Sequence, residues 1–177
     1  MVNVRPFRWP TDRSALLALD TSFVTHQVYH VVQTDQSFAL TTVPAIPPVR
    51  KDYQFANDVD SLSSYDHVVV AEDDTTLIGI AAVKVEAWNR RAILWHFYIA
   101  PTYRGRGVGR ILMDNLFETA QARDARCLWL ETQNINYGAI QFYKRVGFQW
   151  CGLDTSLYDP HGHATAEIAL FFVRYLP

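Results

Sequence analysis

The sequence predicts an α/β fold in which helices pack on a mixed, mostly antiparallel sheet. Three apolar β-runs follow one another closely between residues 67 and 100, and such spacing is typical of an antiparallel meander. A helical pattern begins directly after the third run and leads into a further strand, which indicates a parallel crossover. A second helix and two more strands complete the chain.

The first third of the chain gives weaker signals. VNVRPF (2–7) is strand-like, and Thr11 is placed to cap a short helix that carries three leucines. Residues 23–32 are interpreted as a second short helix, and SFALTTV (37–43) as a strand. Three prolines up to position 48 then predict that residues 44–64 form a loop with one short helix.

The central residues carry the clearest strand pattern. The predicted elements are a strand over residues 67–72, a turn at Asp73-Asp74, a long strand over residues 77–88, a turn at Asn89-Arg90 and a strand over residues 92–100.

Helical spacing dominates the next part of the chain. One helix is predicted after residue 107, and CLWLE (127–131) is the strand that follows it. Asn136 is placed to cap a second helix, and Gly147 to end it. The predicted inward face of the first helix consists of Val108, Ile111, Leu112, Leu116 and Ala120, and that of the second of Ala139, Ile140 and Tyr143. Residues 148–153 and 167–176 are the last two strands.

The composition is that of an ordinary globular protein. The 177 residues are 49% hydrophobic and 19% charged, with a formal net charge of −2, and we expect one domain over residues 1–177. This charge gives no argument for nucleic acid or an anionic membrane as a partner. No apolar run approaches the ~18 residues of a membrane span. Cys127 and Cys151 are interpreted as buried free thiols, which predicts a soluble protein of the reducing cytoplasm.

The segment RGRGVGR (104–110) contains three of the chain's 8 glycines, at a point where a strand ends and a helix begins. The first amides of a helix have no intrahelical acceptor, and glycines let phosphate oxygens approach the backbone, so this is a pattern for anion binding. Two nucleotide-binding motifs do not fit. No Lys-Ser or Lys-Thr follows, and the spacing G-x-G-x-G differs from G-x-G-x-x-G. A simple turn is the alternative interpretation.

These residues resemble the motifs of the GCN5-related N-acetyltransferases, the GNAT superfamily. The segment 104–109 matches its R/Q-x-x-G-x-G/A motif, and NYGAIQFYKRVGF (136–148) is similar to its second signature. The resemblance covers residues 66–174. Within the superfamily the chain looks most like the streptothricin acetyltransferases, through the segments LETQNIN, CGLDTSLYD, EIAL and LDTSFVT.

The resemblance implies a GNAT-type fold with helices on both faces of the sheet, and acetyl-CoA as the co-substrate with no metal. It implies that the pyrophosphate lies on the glycine loop and that the pantetheine runs beside the preceding strand. The cofactor-binding residues carried over on this basis are Tyr98, Ile99, Arg104, Gly105, Arg106, Gly107, Val108, Gly109, Arg110, Asn136 and Tyr143.

Two residues of the second motif have more than one interpretation. The resemblance implies that Tyr143 protonates the departing CoA thiolate, since the leaving sulfur needs a proton; a core tyrosine is the alternative. It also implies that Asn136 contacts the pantetheine, caps the helix, or does both.

The group that deprotonates the amine is less clear. Streptothricin-type enzymes often carry an acidic pair before the glycine loop, whereas this chain has Trp95-His96 there. His96 is a candidate base because its ordinary pKa lies near neutrality, and a structural histidine is the alternative. Glu131 is a second candidate, acting through water or anchoring a cationic substrate, with a cap or salt bridge as the alternative. Glu86 is a weaker third.

Acceptor recognition is assigned to Glu131, Trp95, Asp154 and Tyr158, since carboxylates and aromatic rings favour a cation; Asp159 lies beside them, and surface solvation is the alternative for both aspartates. His161 and His163 form an H-x-H pair without further ligands, so no metal site is predicted. We expect a small-molecule amine as partner and a monomer or homodimer.

The predicted function is transfer of an acetyl group from acetyl-CoA to a primary amine, with streptothricin as the acceptor implied by the resemblance. Two alternatives stay open at this point. One is acetylation of protein N-termini or lysines, and the other is a non-catalytic module that binds acyl-CoA.

Overall fold

The computed structural model describes residues 1–53, 55–159 and 167–177. The strands are β1 (Val2–Pro6), β2 (Phe23–Gln33), β3 (Phe38–Lys51), β4 (His67–Asp73), β5 (Thr76–Glu86), β6 (Arg91–Ile99), β7 (Cys127–Gln133), β8 (Gln149–Asp154) and β9 (Ala169–Tyr175), and the α-helices are α1 (Arg13–Leu17), α2 (Val108–Ala122) and α3 (Tyr137–Arg145). Three 3₁₀ helices lie at Phe55–Asn57, Val59–Ser64 and Pro101–Tyr103.

Seven strands form one sheet in the order β1-β4-β5-β6-β7-β9-β8, and β2 and β3 form a separate two-stranded sheet. The large sheet is mostly antiparallel and contains a parallel pair. The sequence connects β6 to its neighbour β7 through α2, as the predicted crossover requires. The predicted fold class is confirmed.

The chain forms two compact units, and neither is a continuous stretch of sequence. The first consists of Met1–Ser22, Asp52–Trp129 and Tyr175–Pro177, and the second of Phe23–Lys51 and Leu130–Arg174. Strand β7 contributes its first three residues to the first unit and the remainder to the second.

In the first unit, helical elements cover both faces of β5. Ile80 and Ala82 pack in a cluster with Leu16 of α1 and with buried side chains of the 3₁₀ helices at residues 55–64. Gly79 faces the other way, because a Cβ built on it would lie 3.4 Å from a side-chain methyl of Leu112 in α2. Alternation of side chains along a strand produces these two faces.

Helix α2 forms because its apolar residues recur at helical spacing. Val108, Leu112, Leu116 and Ala120 are buried, as predicted. Ile111 was expected beside them, but it is 45% exposed. The buried stripe widens in the other direction, to Gly109, Met113 and Phe117, so Ile111 lies on the flank of the helix.

The second unit corrects two predictions. Residues 23–32 belong to β2 rather than to a helix, and residues 44–51, the first part of the predicted loop, belong to β3. Thr25 and Tyr29 are the buried residues of β2, and the ladder with β3 is interrupted between Thr25 and Gln27. Their spacing of four is also that of a helix, which explains the error.

Two of the three prolines of β3, Pro47 and Pro48, lie where the strand has no ladder partner. Pro44 pairs with Gln27 and Val49 with Thr25, so residues 45–48 form an irregularity that needs no amide donor. The predicted short helix after this segment is present as 3₁₀ turns at residues 55–64.

Two smaller predictions, on the cap of the first helix and on the burial of Cys151, are wrong. The residue before α1 is Asp12 rather than Thr11, and its carboxylate accepts the amide of Arg8 at 2.7 Å. Cys127 is buried, but Cys151 is exposed because it is the extra residue of a bulge in the edge strand β8.

Among the described residues, no helix combines the length and apolar character needed to cross a membrane.

Candidate active site

The glycine loop has a backbone that requires glycine and leaves space beside it. Gly105 and Gly107 have φ values of 75° and 87°, a region that other residues rarely adopt. A Cβ built on either would meet no atom within 4 Å in the described structure. These glycines are therefore explained by backbone conformation and by an open surface, not by crowding from the protein itself.

The same loop exposes amide donors at the start of α2. The amides of Arg110 and Ile111 both donate to the carbonyl of Gly107. In the described part of the chain, the amides of residues 105–109 donate to no backbone carbonyl outside their own helix. Unpaired amides at a helix N-terminus, beside an open surface, can bind an anion such as a pyrophosphate.

The three arginines of the loop have different contacts. Arg104 donates to the carbonyls of Ile99 at 2.9 Å and Ser22 at 2.7 Å, so its side chain holds the loop against its own unit. Arg106 lies over the ring of Tyr103, with 5.4 Å to the centroid. Arg110 forms an exposed ion pair with Asp114 at 3.0 Å, one helical turn away.

A bulge in β6 places the side chains of Trp95 and His96 against the same aromatic ring, that of Tyr65. Ala82 of β5 pairs with His96 and Val83 with Leu94, so Trp95 is the extra residue. A bulge re-aims side chains that would otherwise alternate between faces. The ring of Tyr65 consequently contacts both Trp95, at 6.5 Å, and His96, at 5.4 Å between centroids. Trp95 is more than half exposed.

His96 is buried, and its side chain has one hydrogen-bond partner among the described residues. Its Nε2 lies 3.1 Å from the hydroxyl of Tyr65. Its Nδ1 has no hydrogen-bond partner among the residues that the structure describes. Burial lowers the pKa of His96, and the charge of Asp58 opposes this shift only in part. Burial therefore favours the neutral imidazole, the form that can accept a proton.

Tyr98 and Ile99 lie at the end of β6, as expected for residues beside the glycine loop. Their backbones pair with Ile80 and Gly79 of β5. The ring of Tyr98 packs against Tyr53 and Phe55, each at 5.3 Å between centroids. Glu86 lies at the other end of the β5–β6 ladder, opposite Arg91, away from this group.

In the second unit, α3 carries the two residues of the second motif. Asn136 caps the helix, because its side-chain oxygen accepts the amide of Ala139 at 3.3 Å. Gly147, with φ 92°, follows the helix as predicted. Tyr143 is buried, and its ring packs edge-on against Phe142 and Phe148 at 5.7 and 5.8 Å.

Glu131 is the centre of a polar cluster in the second unit. The hydroxyl of Tyr158 donates to Glu131 and accepts the side-chain amide of Gln133 at 2.9 Å. Lys51 forms an ion pair with Glu167, and its ammonium lies 5.8 Å from the centroid of the Tyr158 ring. Burial raises the pKa of Glu131, while the Tyr158 hydrogen bond and the charge of Lys51 act against the shift.

The other residues predicted to bind the acceptor have different surroundings from those of the Glu131 cluster. Asp154 accepts the amide and hydroxyl of Ser156 at 2.7 and 2.8 Å, so its carboxylate stabilises the turn after β8. Asp159 is exposed. His161 and His163 lie outside the described residues. Within the described ranges, no group of three or more metal-ligating side chains is found.

Four residues of these clusters were not found by reading the sequence. Tyr65 bonds His96, Gln133 bonds Tyr158, and Lys51 pairs with Glu167 across 116 positions of sequence. No local pattern identifies such partners, because only the fold brings them together. For two of the four residues the sequence did contain a signal. Gln133 and Glu167 lie in the segments LETQNIN and EIAL, which resemble those of the streptothricin acetyltransferases.

The comparisons with known proteins agree with this geometry. Residues 27–148 match the model of the acetyltransferase (GNAT) family. The chain is 41% identical to a streptothricin acetyltransferase of Streptomyces lavendulae, over 85% of this chain and 83% of that protein. A crystal structure of nourseothricin acetyltransferase is 40% identical, with a TM-score of 0.89 and coverage of 99% of both chains.

A third relative shares the fold at lower identity. It is a structure from Bacillus anthracis str. Ames in complex with acetyl coenzyme A, with a TM-score of 0.83, 22% identity, and coverage of 99% of this chain and 100% of that chain. The family match spans both the glycine loop and α3, the two segments on which the sequence resemblance depended. The chain belongs to the GNAT family of acetyltransferases and is an acetyl-CoA-dependent N-acetyltransferase.

Proposed function

We propose that this enzyme acetylates a primary amine of a small cationic molecule, namely the β-lysine amine of streptothricin, and thereby confers resistance to that antibiotic. The observation that carries the proposal is the 41% identity to a streptothricin acetyltransferase over 85% of the chain. The carboxylates of Glu131 and Glu167 and the ring of Tyr158 in one cluster support a cationic acceptor.

The donor is assigned to the residues of the two motifs. Amides of residues 105–109 bind the pyrophosphate, and Arg106 and Arg110 add positive charge beside it. Backbone groups of Tyr98 and Ile99 bind the pantetheine, and Asn136 adds a contact to its role as a helix cap. The unpaired amides and the open surface at Gly105 and Gly107 support this assignment.

The transfer is direct, with no acyl group on the enzyme. The neutral amine attacks the thioester carbonyl carbon, a C–N bond forms, and the C–S bond breaks. The amine loses one proton to a base, and the CoA thiolate takes one proton from the hydroxyl of Tyr143. The rings of Phe142 and Phe148 pack against Tyr143 and hold its ring in one orientation, which supports its assignment as the acid.

Glu131 is assigned as the proton acceptor and as an anchor for the acceptor amine. Its raised pKa brings the carboxylate closer to the proton affinity that a general base needs near neutral pH. His96 is the second candidate base, because its neutral imidazole has an Nδ1 without a partner among the described residues. Trp95, Tyr158 and Asp154 are assigned to the acceptor side.

The substrate is tested by measuring free thiol released from acetyl-CoA with a panel of amines. The panel contains streptothricin, polyamines, and peptides with a free N-terminus or a lysine. We expect the highest kcat/KM for streptothricin. Robust acetylation of the peptides without turnover of streptothricin would identify a protein acetyltransferase instead, and acetyl-CoA binding without any transfer would identify a binding module.

The role of Tyr143 predicts a selective loss of activity. Tyr143→Phe removes only the hydroxyl, and kcat should fall by about 100-fold or more because the leaving thiolate loses its proton donor. Calorimetry should show unchanged affinity for acetyl-CoA. Tyr137→Phe, the same change on the same helix, is the control and should keep kcat. Equal activity of both variants across a pH series would show that Tyr143 is not the acid.

A further inference from the structure

Lys51 and Glu167 form an ion pair beside the proposed base. The side chain of Glu167 is only 4% exposed and that of Lys51 21% exposed, so water screens their charges poorly. A buried carboxylate is unfavourable without a partner, which accounts for the pairing. The pair lies at the end of β3 and just before β9, outside both sequence motifs.

The pair is connected to Glu131 through Tyr158. The ammonium of Lys51 lies over the Tyr158 ring at 5.8 Å from the centroid, and the hydroxyl of the same ring donates to Glu131. Gln133 donates to that hydroxyl at 2.9 Å, which directs the hydroxyl proton toward the Glu131 carboxylate. One tyrosine therefore contacts both the ion pair and the proposed base.

We propose that Lys51 and Glu167 are positioning residues for catalysis, and that this ion pair, acting with Tyr158, sets the pH at which Glu131 accepts the proton of the acceptor amine. The proposal rests on the proposed function, since it takes Glu131 as the base. It assigns a catalytic purpose to an ion pair that would otherwise only join two segments of the second unit.

The charges of the pair act on Glu131 in opposite directions. The Lys51 ammonium favours the ionised carboxylate and lowers the pKa of Glu131, whereas the Glu167 carboxylate raises it. The Tyr158 hydrogen bond also lowers this pKa. Among the described residues, these three are the titratable groups that act on Glu131. Removal of one member of the pair leaves the other uncompensated, so the two single variants should differ in sign.

The test is the pH dependence of kcat/KM for the best amine of the panel, at saturating acetyl-CoA. The acid limb of this profile is the range in which kcat/KM falls as Glu131 becomes protonated. It should move to higher pH in Lys51→Met and to lower pH in Glu167→Gln, each by roughly half a unit to one unit. The double variant Lys51→Met/Glu167→Gln should lie between them. Because the acceptor is the same throughout, every shift belongs to the enzyme.

Three further variants separate tuning of Glu131 from a structural role. Lys51→Arg keeps the charge and should restore the wild-type acid limb. Lys84→Met removes an exposed lysine of the first unit and should not move it. Tyr158→Phe removes only a hydroxyl, so it should fold even where Lys51→Met does not, and its acid limb should move to higher pH.

Glu131→Gln distinguishes failure of the inference from failure of the proposed base. One outcome would overturn the inference and keep Glu131 as the base. In that outcome Glu131→Gln loses the acid limb, while the limb stays as in the wild type in Lys51→Met, Glu167→Gln and Tyr158→Phe. An acid limb that is unchanged in Glu131→Gln would overturn both the inference and the assignment of Glu131 as the base. Shifts of the same sign in the two ion-pair variants, or equal losses at every pH, would show a purely structural pair.

Discussion

Arg5 and Arg13 show how burial decides what an ion pair contributes. Arg5 donates to both carboxylate oxygens of Asp12, at 2.7 and 2.8 Å, and also to Glu72. Arg13 makes a similar double contact with Asp60, at 2.7 and 3.2 Å. The first pair is 15% and 6% exposed, and the second 42% and 63%. Only the first should matter for stability.

Arg5→Met should lower the free energy of unfolding by about 3 kcal/mol, because two poorly solvated carboxylates lose their partner. Arg13→Met is the matched control and should change it by less than about 1 kcal/mol. Urea denaturation at pH 7 measures both. Equal losses in the two variants would contradict this account of burial.

The same pair has a defined pH dependence. The hydrogen bonds from Arg5 lower the pKa of Asp12 in the folded protein, so the unfolded chain binds its proton at a higher pH. The contribution of Asp12 is therefore complete above the unfolded pKa of about 3.9. It is lost as the pH falls through the lower folded value, and Arg5→Met should weaken this part of the acid transition.

At the same scale, residue types were predictable and residue partners were not. Motif positions identified Asn136 and Tyr143 as candidates, the end of a predicted strand identified Glu131, and the helix cap by Asn136 is confirmed. The bond between Glu131 and Tyr158 joins positions 27 residues apart, and it depends on how β7 and the segment after β8 fold. A short motif contains no information about such a pairing.

At the scale of elements, the turn into α2 depends on glycine for conformation rather than for space. Gly107 precedes the helix with φ 87°, and a Cβ there would meet nothing within 4 Å in the described structure. Gly138 lies inside α3 and has equally open surroundings. The two positions therefore differ in backbone conformation alone.

Gly107→Ala should cost about 1 kcal/mol in the free energy of unfolding, because an L side chain strains the left-handed region. Gly138→Ala should leave stability unchanged or raise it by up to about 1 kcal/mol, since alanine favours a helix. Urea denaturation of both variants is the measurement. A neutral Gly107→Ala would mean that the loop can adopt another conformation.

Elements with an uninterrupted period were predicted well, and elements with irregularities were not. Strands β4, β5 and β6 and helices α2 and α3 lie near their predicted positions because continuous apolar faces define them. Strand β2 was mistaken for a helix because its buried residues, Thr25 and Tyr29, are four positions apart, a spacing that one face of a helix and one face of a strand share. Its β-branched residues at 24, 25, 28, 31 and 32 were a signal that favoured a strand.

At the scale of the whole molecule, the family relationship extends over nearly the entire chain. The similarity to nourseothricin acetyltransferase covers 99% of both chains, so the first third, where the sequence pattern was weakest, shares the fold as well. The residues proposed to bind the donor could be selected from the sequence because the glycine loop is a short local motif. The ion pair of Lys51 with Glu167 could not be found in this way, since its two residues are 116 positions apart in the sequence.

The central claim is that the enzyme prefers a small cationic antibiotic over a protein amine. The most direct measurement is one reaction with equal concentrations of streptothricin and a lysine-containing peptide with a free N-terminus, at limiting acetyl-CoA, followed by mass spectrometry of the products. The account predicts that almost all of the acetyl groups are found on the β-lysine amine of streptothricin. Acetyl groups found mainly on the peptide would contradict it.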